Sequence, residues 1–542
     1  MAPEAQAAGP VEEAEVLIAG TGFSGIGTAI QLQRAGIRDF LLLERAAAVG
    51  GVWRDNTYPG AACDIPSHLY CFSFEPNPDA SRTYGRQPEI KSYLESLIDK
   101  HGLRDRIRFG AAVARSVWDD SEGRWNVQCA DGRRFRGRFQ IIGAGPLRDP
   151  RWPQVKGLRD FKGSLSHSSR WPEGGLEALA GKRVAVIGTG ASAVQIVPEI
   201  SKVAAQLHVV QRTPAWVSPR IDTEYSAWAK WAFRHVPFVL QAHRFLIWLA
   251  HEIRYPMLFS DGKWRPVFAR SIERQLREWI KMEVGDEGLA AALTPSYAPG
   301  CKRILSSSDF YPALRLPNVS LHTQAATEAT PSSLVLADGT NLEVDAIICA
   351  TGFVVDAPLA AVTIVGQGGV VLSEVWGARP RAYLGVTMPG FPNTFFVMGP
   401  NTGLGHNSMI VMAEAQIGYI VQAISKARAR GPRAWVAPRE GKLDGFVAEC
   451  DSRHRGLVWA SGCSSWYLNE AGENFSLYPG STAEYIWRMR RFDSEAYIHG
   501  EAPGTGGGKV EEEAEAGAGE GTDAGRAAPQ LVQRRRGVSP LL

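Results

Sequence analysis

Short apolar runs alternate with longer amphipathic stretches along most of the chain, and this alternation predicts strands joined by crossover helices. Val16–Ala19, Phe40–Leu43, Phe139–Ile142, Val184–Ile187, Leu207–Val210 and Asp345–Cys349 read as short buried strands. Strands of this kind belong to parallel sheets with both faces covered. Helical patterns follow the first strand through about Ala35 and the fourth through about Val203, and another runs from Ser408 to about Lys426. Residues 221–285 change character and become helical and aromatic, with Trp228, Trp231, Phe233, Phe245, Trp248 and Trp279. The one internal similarity lies between two strand–turn–helix starts.

Those two starts carry the strongest chemical signal. Gly20-Thr21-Gly22-Phe23-Ser24-Gly25 follows a strand and opens a helix, and Gly188-Thr189-Gly190-Ala191-Ser192-Ala193 does the same. Small residues there let the backbone approach a pyrophosphate, which the N–H groups of the helix N-terminus then hold. One such loop is equally well a tight turn; two in the right context are not. Offsets separate the ligands. The strand after the first loop ends at Glu44, where a carboxylate can bind a ribose hydroxyl pair, as FAD or NAD requires. The equivalent position after the second loop is Arg212, a cation suited to a 2′-phosphate, which reads as NADP.

Composition narrows the field further. The chain has 542 residues, more than one ordinary core holds, so two or three domains are expected. At 45 % hydrophobic and 21 % charged it is globular, and 59 basic against 56 acidic residues do not suggest a nucleic-acid partner. Seven cysteines without a CxxC pair argue against a disulfide framework or a zinc cluster and for a reducing cytoplasm. No export signal is visible at the N-terminus. The longest apolar run, around Val236–Ala250, is interrupted by Gln241, His243 and Arg244 and is too short to span a bilayer. Both ends are low in complexity, with acidic residues at Glu511–Glu515 and arginines at Arg534–Arg536, and read as disordered.

Two longer motifs carry a family resemblance. Gly50-Gly51-Val52-Trp53 through Tyr58-Pro59-Gly60 to Asp64 resembles the fingerprint of class B flavoprotein monooxygenases. Phe161-Lys162-Gly163, His167 and Trp171-Pro172 resemble the fingerprint of type I Baeyer–Villiger monooxygenases. The resemblance covers residues from about 14 to 495. It implies an α/β chain with two Rossmann-like dinucleotide-binding domains, for FAD and NADP, and a helical insertion, to which composition adds a disordered C-terminal tail. The layout expected is an arm at 1–13, FAD-binding parts at 14–150 and 381–500, NADP-binding parts at 151–215 and 300–380, a helical subdomain at 216–299 and the tail at 501–542.

The same resemblance implies the chemistry. NADPH reduces FAD, O2 adds at flavin C4a, and the resulting peroxide attacks a small-molecule ketone to give an ester or lactone. Arg303, in Gly300-Cys301-Lys302-Arg303, corresponds to the arginine beside the flavin, and Asp64 to the carboxylate that orients it. A structural ion pair would look the same in sequence. His167 is expected to couple domain motion to turnover and not to act as a base. Lys302 is expected to join Arg212 and Thr213 at the NADP phosphate. Gly20, Gly22, Ser24, Gly25, Glu44, Gly51 and Trp53 are expected at FAD, and Gly188, Gly190, Ala191 and Ser192 at NADP. Asn407, in the glycine-rich Gly399–Asn407 segment, would lie by the flavin pyrimidine or simply in a turn before a helix. Trp466, in Ser465-Trp466-Tyr467, resembles part of a loop over the nicotinamide, although the flanking residues depart from the family pattern. Cys301 and Cys463 have no supporting His/Asn constellation to act as nucleophiles.

Two alternatives stay open on these residues. One is an N- or S-oxygenating flavin monooxygenase. The other is a peripheral membrane protein that uses residues 228–249 as an amphipathic anchor. The expected partners are a ketone and O2, with no nucleic acid and no integral membrane, in a monomer or weak dimer.

Overall fold

The computed structural model describes residues 10–258, 265–355, 359–460, 462 and 465–503. Two five-stranded parallel sheets organise the chain. The first has the order Thr394–Phe396, Phe139–Ile142, Val16–Ala19, Phe40–Leu43 and Ile107–Arg108, with Ala19 level with both Leu43 and Ile142. The second has the order Val319–His322, Gln206–Val210, Arg183–Ile187, Ala346–Cys349 and Ser164–His167. Every apolar run read as a strand is one, within a residue at either end.

Both sheets hold because their faces are covered. Val16, Ile18 and Leu42 are fully buried, each contributing about 1.5–3 kcal/mol of apolar burial. Phe23–Arg34 follows the first strand and packs against the long helix Met409–Arg430. The second sheet's helix, Ala193–Ile200, is shorter than the pattern predicts because Ser201–Val203 turns back to meet the next strand.

Between the sheets the chain crosses twice, side by side. Arg151 donates its N–H to Gly352 O at 2.9 Å, and Val354 donates to Asp149 O at 2.9 Å. A mixed sheet joins Val11–Glu13, Arg134–Gly137, Arg124–Cys129, Val113–Asp119 and Thr363–Val365. Val11–Glu13 falls in the segment read as a disordered arm. It is an edge strand, with Glu13 facing Arg124 and Arg136 at 3.7 and 3.9 Å. The tail from 504 onward lies outside the described residues.

The helical insertion comprises Ala227–His235, Val239–Glu252, Arg265–Val284 and Glu287–Leu293. No helix among the described residues is long and apolar enough to cross a membrane. Five cysteines (63, 71, 129, 349 and 450) are buried free thiols, whereas Cys301 is disulfide-bonded. The cysteine pattern argues against a disulfide framework, and Cys301 departs from that expectation. Cys463 lies outside the described residues.

Candidate active site

The first glycine loop is built for close approach. A Cβ on Gly25 would meet Gly20 O at 1.9 Å, so only glycine lets the helix start this near the strand. Gly22 and Gly51 face each other across the loop, and a Cβ on Gly51 would come within 3.1 Å of Gly22 Cα. No side chain caps the helix at Gly22, which leaves its first N–H groups for a ligand, and Ser24 lies buried in that first turn. A cradle of bare backbone at an uncapped N-terminus fits the pyrophosphate of FAD.

Glu44 lies at the end of the second strand, as its offset predicts, but its carboxylate is fully used. Oε2 accepts from Thr21 N at 3.0 Å and Thr21 Oγ1 at 2.6 Å, and Oε1 from Ala46 N at 2.9 Å and Arg54 Nη1 at 2.8 Å. Glu44 therefore fixes the loop through Thr21, and Arg54 becomes a candidate contact that the sequence reading missed. Trp53 donates from Nε1 to Tyr70 Oη at 3.2 Å and is half-buried against the core.

The second loop repeats the plan with other partners. Thr189, the counterpart of Thr21, donates its hydroxyl to Thr213 O at 3.0 Å. Gly188 leaves the strand, Gly190 and Ala191 are exposed, and Ser192 precedes the helix without capping it through its side chain. Arg212 is exposed beside Thr213. Lys302 lies over the Tyr297 ring at 4.9 Å. Its pKa is lowered first by burial and then by the charge of Arg212, so two cations share one neighbourhood. An anion between them would relieve that repulsion, which suits a 2′-phosphate.

Gln195 ties the two halves together, and no motif announced it. Its Oε1 accepts from Tyr58 Oη at 3.1 Å and Ala62 N at 3.3 Å, while Nε2 donates to Ala62 O at 3.0 Å. The fingerprint around Tyr58-Pro59-Gly60 is thereby held to the helix of the second sheet.

Arg303 and Asp64 meet, although 239 positions separate them: Nε donates to Oδ2 at 2.6 Å. Burial works against the Arg303 charge. The field of Asp64 outweighs it, assisted by Tyr467 and Cys63, and holds the guanidinium above its ordinary pKa. Tyr467 is fully buried in an apolar cluster with Leu258, Cys301, Val458 and Trp459. Its neighbour Trp466, the residue expected at the nicotinamide, is half exposed.

Asn407 is wholly buried and its side chain is committed locally. Nδ2 donates to Glu252 Oε2 at 2.9 Å, and Oδ1 accepts from Ser408 N at 2.8 Å. Glu252 also accepts from Thr482 Oγ1 at 2.5 Å and Ala483 N at 3.0 Å, and His406 Nε2 lies 3.6 Å away. Burial raises the Glu252 pKa, but His406 and these donors overcome it and bring it down to about 2. The cluster joins the helical insertion to the start of Met409–Arg430.

His167 is elsewhere. It ends the edge strand of the second sheet, with Trp152 and Phe353 ring centroids at 5.7 and 5.8 Å, where the two crossings pass. Ser169 donates to its Nδ1 from the hydroxyl at 2.9 Å and the backbone at 3.2 Å. Burial lowers its pKa to about 4, so the ring is neutral near pH 7.

The chain is similar to known proteins along most of its length. Residues 13–372 match the flavin-binding monooxygenase-like family. A Baeyer–Villiger monooxygenase of Streptomyces coelicolor is 42 % identical over 516 residues, 95 % of this chain and 98 % of that protein. One from Pseudomonas aeruginosa is 40 % identical, covering 89 % and 91 %. Among solved structures, an oxidised steroid monooxygenase bound to NADP superposes with a TM-score of 0.77 at 30 % identity, covering 88 % of this chain and 97 % of that one. Cyclohexanone monooxygenase from Rhodococcus sp. Phi1 bound to NADP+ gives 0.79 at 26 %, covering 89 % and 97 %. The chain belongs to the flavin-binding monooxygenase-like family and, within it, to the Baeyer–Villiger monooxygenases, which use FAD, NADPH and O2 to insert an oxygen atom beside a ketone carbonyl.

Proposed function

We propose that Arg303 and Asp64 form the oxygen-insertion centre of this enzyme and that its substrate is a small-molecule ketone. Bound FAD, reduced by NADPH, supplies the activated oxygen. The chain's own residues bind, orient and stabilise charge. Arg303 offers a fixed positive charge and N–H donors to the negative charge that builds on the ketone oxygen. Asp64 holds the guanidinium in one orientation, and the apolar cluster around Tyr467 and Trp459 keeps water from its back face. Arg212, Thr213 and Lys302 hold the NADPH 2′-phosphate. His167 couples the interdomain crossing to turnover.

FAD-binding parts at 14–150 and 381–500, NADP-binding parts at 151–215 and 300–380 and a helical subdomain at 216–299 follow from the same reading, as do a cytoplasmic location and a monomer or weak dimer, whereas Val11–Glu13 and Glu501 belong to strands and not to the arms. The observation that carries the proposal is the 2.6 Å Arg303–Asp64 contact, formed by the ends of two separate motifs. Product analysis with NADPH tests it, offering a cyclic ketone and a thioether in parallel. Ester or lactone from the ketone is the expected result. Sulfoxide from the thioether with no ester or lactone would support the N- or S-oxygenating alternative.

A further inference from the structure

The helical insertion carries an apolar face that no other part of the described chain covers. Helices Ala227–His235 and Val239–Glu252 form a hairpin whose inner side holds buried Ala232 and Leu240. Phe233 stacks on His243 at 5.1 Å there and meets His68 at 4.6 Å. The outer side presents Trp228, Trp231, Phe245 and Leu246, all more than half exposed, and Phe238 at 79 %. Scattered apolar residues are ordinary on a surface; five large ones on one hairpin are not. Phe238 also sits at φ 64°, a left-handed conformation disfavoured for a residue with a Cβ. The hairpin thus holds an unfavourable backbone at its turn and still presents an aromatic ring to solvent.

Charge gives the face its partner. From Ser226 to His251 there is no aspartate or glutamate, while Lys230, Arg234 and Arg244 are basic. Arg234 is paired with Asp79, and Arg244 lies 3.6 Å from Glu414. Lys230, and Arg254 just beyond the second helix, have no ion-pair partner among the described residues. With Asp79 answered by Arg234 and no acid between Ser226 and His251, the unpaired charges Lys230 and Arg254 are both positive and repel a second copy of the face in a two-fold contact. The face complements a layer of lipid phosphates, with indole and phenyl rings at the depth of the headgroups.

We propose that this hairpin docks the enzyme on an anionic phospholipid surface. Val239–Glu252 runs about 20 Å from the exposed turn to the Glu252–Asn407 cluster.

Sedimentation of the FAD-loaded enzyme with vesicles tests this, using phosphatidylcholine alone or with about 30 mol % phosphatidylglycerol. Binding to the anionic vesicles is expected, about tenfold weaker to neutral vesicles or at high salt, with a blue shift of tryptophan emission. The double variant Phe238→Asp/Phe245→Asp should lose about tenfold or more in binding, with unchanged FAD content and unchanged kcat on a water-soluble ketone. Trp228→Gln/Leu246→Gln is read in the same way if the first variant fails to fold. The proposal is overturned if wild type stays in the supernatant with both vesicle types, or if both variants bind as wild type does. It is also overturned if wild type is a dimer by analytical ultracentrifugation that the variants dissociate, which would make the face a contact between copies.

Discussion

Replacing Arg303 by alanine separates the two halves of the catalytic cycle. The side chain is about one-quarter exposed, and Asp64, its ion-pair partner at 2.6 Å, about one-third. A unit charge about 4 Å from a developing anion, at the effective dielectric of about 20 found near protein surfaces, is worth about 4 kcal/mol. Loss of a single preorganised donor elsewhere costs about 3–4 kcal/mol, so both routes give two to three decades. Ester or lactone formation should therefore fall about 10²–10³-fold. The glycine loop, Glu44 and Gln195 are untouched, so FAD content should persist and NADPH should still reduce the flavin. The NADPH then consumed should appear as hydrogen peroxide. Arg303→Lys keeps the charge but loses the planar fork that meets Asp64, and should fall between the two. Stopped-flow reduction, peroxide release and product yield on one preparation decide the matter. Near wild-type product formation by Arg303→Ala would refute the proposed centre.

Arg212→Ala should weaken NADPH far more than NADH, by about one to two decades in kcat/KM, because only NADPH carries the 2′-phosphate; steady-state kinetics with both coenzymes check it. Gln195→Ala removes three hydrogen bonds between the two halves, each worth about 1 kcal/mol. It should lower Tm by several degrees and slow flavin reduction while bound FAD is retained, as calorimetry and stopped flow would show. Four histidines, His68, His167 and His454 buried and His208 half-buried, have lowered pKa values: desolvation is the first cause in each, with His68 at about 3 and the other three at about 4. The folded state binds these protons less readily than the unfolded chain, whose value is 6.5. Their contribution is therefore complete above about pH 6.5 and lost as pH falls towards 4. Thermal melts across that window should show Tm dropping on the acid side, and a flat profile would contradict the burial of neutral imidazoles.

What could be read from the sequence was local. The strands Val16–Ala19 and Phe40–Leu43, the glycine loops and the offset to Glu44 all follow from spacings within a single strand–helix–strand unit, and the structure keeps each of them. Reading failed where the deciding partner is distant. Glu44 reads as a ribose ligand, but no pattern near it announces that Arg54 also bonds its carboxylate. Val11–Glu13 looks like an arm until Arg124 and Arg136 face it across the sheet. Asn407 meets Glu252 from 155 positions away, and no pattern near either residue points to the other. Arg303 and Asp64 are further apart still and were legible only because each ends a motif of its own. Distance along the chain is thus not what hides a site; a partner without a motif is. Glu252 ends an aromatic helix and is the first acid after Glu224, 27 residues without one lying between them, so its position in the sequence does carry a signal. In so apolar a segment, a lone carboxylate must find donors, and here it finds them in Asn407, Thr482 and the N-terminus of the helix Thr482–Met489.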